Sequence, residues 1–243
     1  MISLRPPSPG EVDRVARLTL TSDSAPWTFA GQHAAAIGAH WQRRTQENPS
    51  FFNGQILVLR ALRGGSDGFE GHLSLERFAA FLFWRDGVQS DPDVWDGFVS
   101  ALVRSRQGDV VLGLNAAGTL SGGRMGLPGG FLDANDIRPD GSVDVVGAAA
   151  REFSEETGFD ASLLRRVPGY LVARHGRYCA FGVEFRVDLD TSELQQRLAE
   201  GLNRGAAAEL EAINILTERS DLDALHMLDH ARLLVRHVFG HAG

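Results

Sequence analysis

The chain has 243 residues, 43% of them hydrophobic, and a formal net charge of −7 at pH 7. That length buries a substantial core, as one large domain or as a core with a smaller unit attached. The acidic balance excludes a nonspecific nucleic-acid or membrane-surface binder, because either needs a basic face. Every one of the 24 basic residues is arginine, so arginine is the cation on hand for gripping phosphates, which it does through bidentate contacts. A single cysteine, Cys179, rules out an intramolecular disulfide and reads as strand packing rather than a nucleophile. No apolar run reaches membrane-spanning length, and the first seven residues lack a signal-peptide core, so a cytoplasmic location is the expectation.

In chain order, residues 1–10 are Pro-rich and read as extended. Residues 12–20 alternate partly and read as a strand. Residues 31–46 read as a helix, with Ala35, Ala36, Ala39 and Trp41 as its apolar positions, stopped by Asn48-Pro49. Asn53-Gly54 marks a tight turn. Residues 55–62 are a Leu-rich strand, and residues 71–84 read as a second strand that turns aromatic at Phe78, Phe81, Phe83 and Trp84. The first ninety residues thus form a small α+β extension. A polar connection, residues 89–95, leads to strands at 98–105 and 109–115, a turn at 118–123 and a short strand at 124–127. A helix over 144–157, a hairpin of 170–175 and 177–187 around Gly176, and a helix over 192–202 come next. A strand at 209–216 and a last helix over 222–238 complete the pattern. His226 and His230 stand four apart in that last stretch and read as a solvated helix face rather than a zinc site.

One run carries chemistry: Arg151-Glu152-Phe153-Ser154-Glu155-Glu156-Thr157-Gly158-Phe159. On a helix ending at Gly158, Glu152, Glu155 and Glu156 stand at i, i+3 and i+4, on one face. They lie near the helix C-terminus, where the macrodipole disfavours negative charge. The opposite face is apolar through Val145, Val146, Ala148, Ala149 and Phe153. Carboxylates gathered against both local forces suit a hard divalent cation, which takes oxygen ligands. Upstream, Leu127-Pro128-Gly129-Gly130 is a turn in which glycine lets the backbone approach a ligand closely.

These residues resemble the Nudix hydrolase signature: Pro128-Gly129-Gly130 looks like its entry turn, and Arg151 to Phe159 matches its Arg-Glu-aliphatic-x-Glu-Glu-x-Gly-aliphatic half, with phenylalanine at both apolar positions. The first half departs from the pattern. Val143 stands where the family has Glu, and residues 131–142 are longer than the usual connection, which reads as an insertion; Asp144 then starts the helix. The resemblance implies an α/β (α+β) fold: the Nudix α/β/α sandwich with a mixed sheet, as a hydrolase domain at 91–243 with the extension, 1–90, packed on it.

It implies hydrolysis of the diphosphate linkage in a nucleoside diphosphate joined to another moiety X, with Mg²⁺ or Mn²⁺ as cofactor. Glu152, Glu155, Glu156 and Gly130 would hold the metals, and Arg151 would orient a carboxylate. The partner would be a small molecule, with neither nucleic acid nor membrane involved, and the family admits a homodimer. A base on a later strand helps in such enzymes; Glu209 and Glu211, which alternate with apolar residues and so share one strand face, are the candidates. Gly129, Gly130, Arg124 and Phe131 are the candidate substrate contacts, with Tyr170 and Tyr178 as further stacking residues. The segment Asn48-Pro49-Ser50-Phe51-Phe52-Asn53-Gly54 is similar to one in UDP-sugar diphosphatase-like members and tilts X toward a sugar, although helix stop plus turn explains the same residues singly. The competing reading is a catalytically silent Nudix domain that binds a nucleotide-like effector and regulates a partner.

Overall fold

The computed structural model describes residues 10–23, 25–87, 91–203 and 209–240; the N-terminal nine residues read above as extended lie outside that range. The elements in order are β1 (Glu11–Val15), β2 (Leu18–Asp23), α1 (Thr28–Gln32), α2 (Ala34–Glu47), β3 (Gln55–Gly65), β4 (Gly68–Arg77), α3 (Phe78–Asp86), β5 (Asp96–Arg104), β6 (Val110–Asn115), β7 (Met125–Gly126), α4 (Val145–Thr157), β8 (Arg165–Arg166), β9 (Tyr170–His175), β10 (Tyr178–Arg186), α5 (Thr191–Asn203), β11 (Leu210–Leu216) and α6 (Asp229–Gly240).

The large sheet runs β1-β9-β10-β5-β6-β11, with β7 on β6 and β8 on β10. It is mixed: β5 and β10 are parallel, with Val99 opposite Phe181, while β9 and β10 form an antiparallel hairpin. Strand alternation sorts β5 between two cores. Val99, Ala101 and Val103 face a core shared with α4 and α5, and Leu102 faces a core shared with α6. This is the α/β/α sandwich. No helix among the described residues is long and apolar enough to cross a membrane.

A second sheet, β2-β4-β3, with α1 to α3 forms the extension. β1, although it precedes residue 90, is an edge strand of the large sheet, so the expected strand over 12–20 is two strands in two sheets. The insertion joins the two units. Ser22 N–H donates to the Gly141 carbonyl (2.9 Å), Val143 N–H to that of Leu20 (2.8 Å) and Leu57 N–H to that of Leu132 (2.7 Å). Val143 is a buried member of the α4 core, which is why a valine stands there.

Three expectations need correction. The aromatic half of the strand expected over 71–84 is the helix α3; Phe78, Ala79, Ala80, Phe81, Leu82 and Trp84 are buried almost all round it, and an all-round apolar run is what a buried helix looks like. Its N-terminus is capped across the fold, by the Asn53 side chain on the Ala79 N–H (2.9 Å) and the Gly54 carbonyl on that of Phe78 (2.9 Å). The last helix begins at Asp229, not 222, because residues 226–228 pair with β7: Met125 N–H donates to the His226 carbonyl and Leu228 N–H to that of Met125. His226 therefore precedes the helix that carries His230, and the two share no helix face. Lastly, the pairing of β11 shifts between Leu210 and Ala212, which breaks the regular alternation that would place Glu209 and Glu211 on one face.

Candidate active site

The acidic helix α4 is built as its sequence dictates. Asp144 caps it by accepting the Gly147 N–H at 2.9 Å, and Gly158 ends it in the left-handed conformation, φ 66°, where glycine carries no Cβ penalty. Its apolar face buries Val145, Ala148, Ala149 and Phe153, which turns the glutamate face toward the Pro128-Gly129-Gly130 turn. That turn lies along β5: Val99 N–H donates to the Gly130 carbonyl (3.0 Å) and Ala101 N–H to that of Pro128 (2.8 Å).

Both glycines are required. Gly129 has φ 155°, and a Cβ there would lie 2.2 Å from the Val99 carbonyl oxygen; a Cβ at Gly130 would lie 2.6 Å from Glu152 Oε2. The Gly129 N–H donates to Glu156 Oε1 at 3.3 Å.

The three helix glutamates are not equivalent. Glu156 is buried, at 5% exposure. Burial, then the charges of Glu152 and Glu209, push its carboxyl well above the usual range, against the Gly129 N–H. Burial raises Glu152 to about 7, opposed by Arg151. Glu155 is more than half exposed and turns to Arg151, which reaches it at 3.0 Å and Glu152 at 2.8 Å. Glu209, exposed in the turn before β11, adds its charge to both Glu152 and Glu156; Glu211 is not among the charges acting most strongly on either.

Asp136 was missed in the sequence. It lies in a single 3₁₀ turn (Ala134–Asp136) within the insertion, in a reciprocal cap with Asp133. Its buried carboxylate accepts Arg151 Nη2 at 3.2 and 3.3 Å. Burial raises its pKa, with the Asp133 N–H and Arg151 opposing. Arg151 is thus held by three carboxylates, which keep its charge on despite burial. The only sequence signal was Asp133-Ala134-Asn135-Asp136, an acid three residues after a capping acid.

The other candidates lie elsewhere. Phe131 packs on Phe78 and Phe81, with ring centroids 5.9 and 5.0 Å apart. Arg124 acts on His230, toward α6. Tyr178 stacks near His230 at the start of β10, and Tyr170 lies under Arg166. Cys179 is fully buried and burial raises its thiol.

Buried acceptor-only oxygens with like-charged neighbours are the donor set a hard cation neutralises, so Glu152 and Glu156 fit a divalent metal, with the exposed Glu209 adding its charge beside them. They are not drawn into a closed cage: among the described residues no three His, Cys, Asp or Glu side chains converge on one point.

Residues 97–229 match the family model of the NUDIX domain. The chain belongs to the Nudix family. It is a Nudix-type hydrolase, and Nudix hydrolases typically cleave a nucleoside diphosphate linked to X and generally use divalent metal ions. No curated protein matches the chain. Among solved structures, the Nudix chain is similar to a Nudix hydrolase from M. smegmatis, RenU (18% identity, TM-score 0.41, 61% of this chain and 88% of that one). It is similar also to the MutT protein from Methanosarcina mazei Go1 (18% identity, TM-score 0.41, 60% of this chain and 93% of that one). A third is a bifunctional NMN adenylyltransferase/ADP ribose pyrophosphatase from Francisella tularensis, complexed with AMP and a Mn ion (17% identity, TM-score 0.43, 61% of this chain and 42% of that one).

Proposed function

We propose that the chain hydrolyses the diphosphate linkage of a nucleoside diphosphate joined to X, releasing a nucleoside monophosphate and phosphorylated X, with X a sugar. The observation that carries this reading is the buried pair Glu152 and Glu156, which repel each other and are repelled by Glu209, with Arg151 reaching Glu152 at 2.8 Å. Glu152 and Glu156 would hold Mg²⁺ or Mn²⁺, with Glu155 on the outer side. Bound there, the metal would neutralise phosphate oxygens and lower the pKa of a water.

The protein's own groups do the rest. The Gly129-Gly130 turn lets its backbone lie directly against the Glu152 carboxylate, with no side chain between them. Arg151 fixes Glu152, and Asp136 fixes Arg151. Glu209, exposed at the mouth, accepts the proton from the attacking water. Residues 91–243 act as the hydrolase unit and 1–90 as an extension packed on it, in the cytoplasm.

A substrate panel tests this: UDP-glucose, ADP-ribose, dinucleoside polyphosphates, NADH, coenzyme A and deoxynucleoside triphosphates, with Mg²⁺ or Mn²⁺ and Glu156→Gln as control. Metal-dependent turnover that the variant lacks is the expected result. Silence across the panel with nucleotide binding retained would establish the second reading, a non-catalytic effector-binding domain, which Val143 in place of the signature glutamate favours.

A further inference from the structure

The segment from Asn48 to Gly54 ties three parts of the molecule together. Asn48 ends α2, its N–H donating to the Arg44 carbonyl at 2.8 Å. Phe51 packs edge-on against Phe78 of α3, with ring centroids 6.0 Å apart, and Asn53 and Gly54 cap α3. The remaining contact leaves the extension. Across seventy residues of chain, Asn48 Nδ2 donates to the Gly118 carbonyl at 2.6 Å, in the loop between β6 and β7. The Ser50 hydroxyl stands 3.1 Å from the same carbonyl. Asn48 Oδ1 accepts the Ser50 N–H at 3.2 Å and the Ser50 hydroxyl at 2.6 Å, so a local turn fixes one end of the carboxamide and Gly118 takes the other. A helix stop followed by a turn accounts for Pro49 but not for this reach.

The loop that Asn48 holds is closed on itself. The Thr119 N–H and hydroxyl both donate to the Ala116 carbonyl at 2.9 Å, and the Gly123 N–H donates to that of Asn115 at 2.9 Å. A Cβ at Gly122 would lie 2.7 Å from the Ala117 carbonyl oxygen. Such a loop moves as one body, so a hold on Gly118 is a hold on Ala116. The Ala116 N–H in turn donates to the Glu209 carbonyl at 2.8 Å.

Glu209 is exposed in the turn before β11, so its carboxylate stands where its backbone puts it. The pairing of β11 shifts directly afterwards, between Leu210 and Ala212, and an irregularity of this kind re-aims a strand-end side chain. The charge of Glu209 acts on both Glu152 and Glu156. The chain of contacts from the extension to the acidic helix is therefore Asn48, Gly118, Ala116, Glu209. Catalytic groups are sensitive to such support: a misplacement of about 1 Å costs up to roughly a hundredfold in rate.

We propose that Asn48 is a positioning residue of the hydrolase, which through the Gly118 carbonyl and the Ala116 N–H holds Glu209 where its carboxylate meets the attacking water. The inference rests on the diphosphatase reading and makes the extension part of the catalytic unit.

A double-mutant cycle between Asn48→Asp and Glu209→Gln tests it, on the substrate that the parent turns over. Asn48→Asp keeps the acceptor that Ser50 uses and removes only the donor to Gly118. It lowers kcat by about five- to tenfold, the size of one hydrogen bond, and leaves KM within twofold. Glu209→Gln lowers kcat by about a hundredfold or more. The double variant matches Glu209→Gln within about twofold, because a base already lost cannot be misplaced. Ser50→Ala carries the same cycle should Asn48→Asp fail to fold. A parent without turnover removes the diphosphatase reading and leaves the cycle to Mn²⁺ affinity by calorimetry, which Asn48→Asp and Glu209→Gln each weaken and the double variant weakens no further than Glu209→Gln. In either readout, losses that add, or Asn48→Asp and Ser50→Ala both equal to the parent, overturn the proposal.

Discussion

Asp136 and Arg151 lie 3.2 Å apart across fifteen residues of chain, and this contact ties the inserted loop to the acidic helix. Arg151 in turn reaches Glu152 and Glu155, so the aspartate sets where the arginine stands and the arginine sets where Glu152 stands. Asp136→Asn keeps the shape and removes the charge. Outer groups of this kind change metal affinity or activity by about 10- to 100-fold, and kcat/KM is expected to fall in that range with the fold intact by circular dichroism. An unchanged kcat/KM would show that Arg151 needs no anchor outside its own helix.

The burial differences rank the glutamates. Glu156 is the deepest and carries repulsion from Glu152 and Glu209; Glu155 is the outermost. Glu156→Gln relieves that repulsion, so the metal-free variant melts higher than the parent while turnover drops by about a hundredfold or more. Glu155→Gln has the smaller effect on both. Differential scanning fluorimetry with initial rates checks the pair, and a lower melting point for metal-free Glu156→Gln would contradict the electrostatic account.

A cation that binds only the folded chain raises its stability by about 2.7 kcal/mol at a hundred times its Kd. Millimolar Mg²⁺ or Mn²⁺ is therefore expected to raise Tm, and Glu152→Gln and Glu156→Gln to abolish the rise. Shifts of equal size in the parent and both variants would place the ion elsewhere.

The two glycines of the turn separate folding from chemistry. At Gly129 a Cβ strikes the Val99 backbone at 2.2 Å, and φ is 155°; Gly129→Ala is expected to cost about 1–3 kcal/mol and to lower expression. At Gly130 the clash is with the Glu152 carboxylate at 2.6 Å, a side chain that can give way. Gly130→Ala should therefore fold at near-parental Tm and lose activity. The reverse order, with Gly130→Ala the worse folded, would refute this assignment.

The sequence revealed what depends on local chemistry. The helix of Glu152, Glu155 and Glu156, its end at Gly158 and the glycine turn were readable because spacing and φ preference are properties of neighbouring residues. What escaped was set by distant partners. Residues 78–84 read as the aromatic half of a strand, and they form a helix because Asn53 and Gly54 cap it and because its apolar side chains are buried almost all round. Glu209 and Glu211 looked equivalent until a register shift separated them. Asp136 carried only the signal of an acid three residues after Asp133, because its partner is fifteen residues away, and Val143 reads as a lost carboxylate until the insertion is seen to supply another.

His230 provides a test by pH of the packing of α6 on the large sheet. Burial, reinforced by Arg124, Arg85 and His175, lowers its pKa to about 3, against about 6.5 in an unfolded chain. The folded state therefore binds fewer protons than the unfolded one between those values, so its stability is present above pH 6.5 and is lost as pH falls through that window. Between pH 7 and pH 5 the loss is about 2 kcal/mol. Asp96 acts in the opposite sense. Burial raises it to about 6, against Arg85, so its charged form costs stability above that pH and acidification relieves the cost. Glu152 and Glu156, also raised by burial, add to that relief in the parent and the variant alike, so the difference between the two proteins reads His230. His230→Asn removes the loss and leaves the relief, so the variant gains Tm on acidification relative to the parent. Parallel Tm profiles for the two proteins across that range would mean that His230 takes up its proton alike in the folded and unfolded chain, and that solvent reaches it.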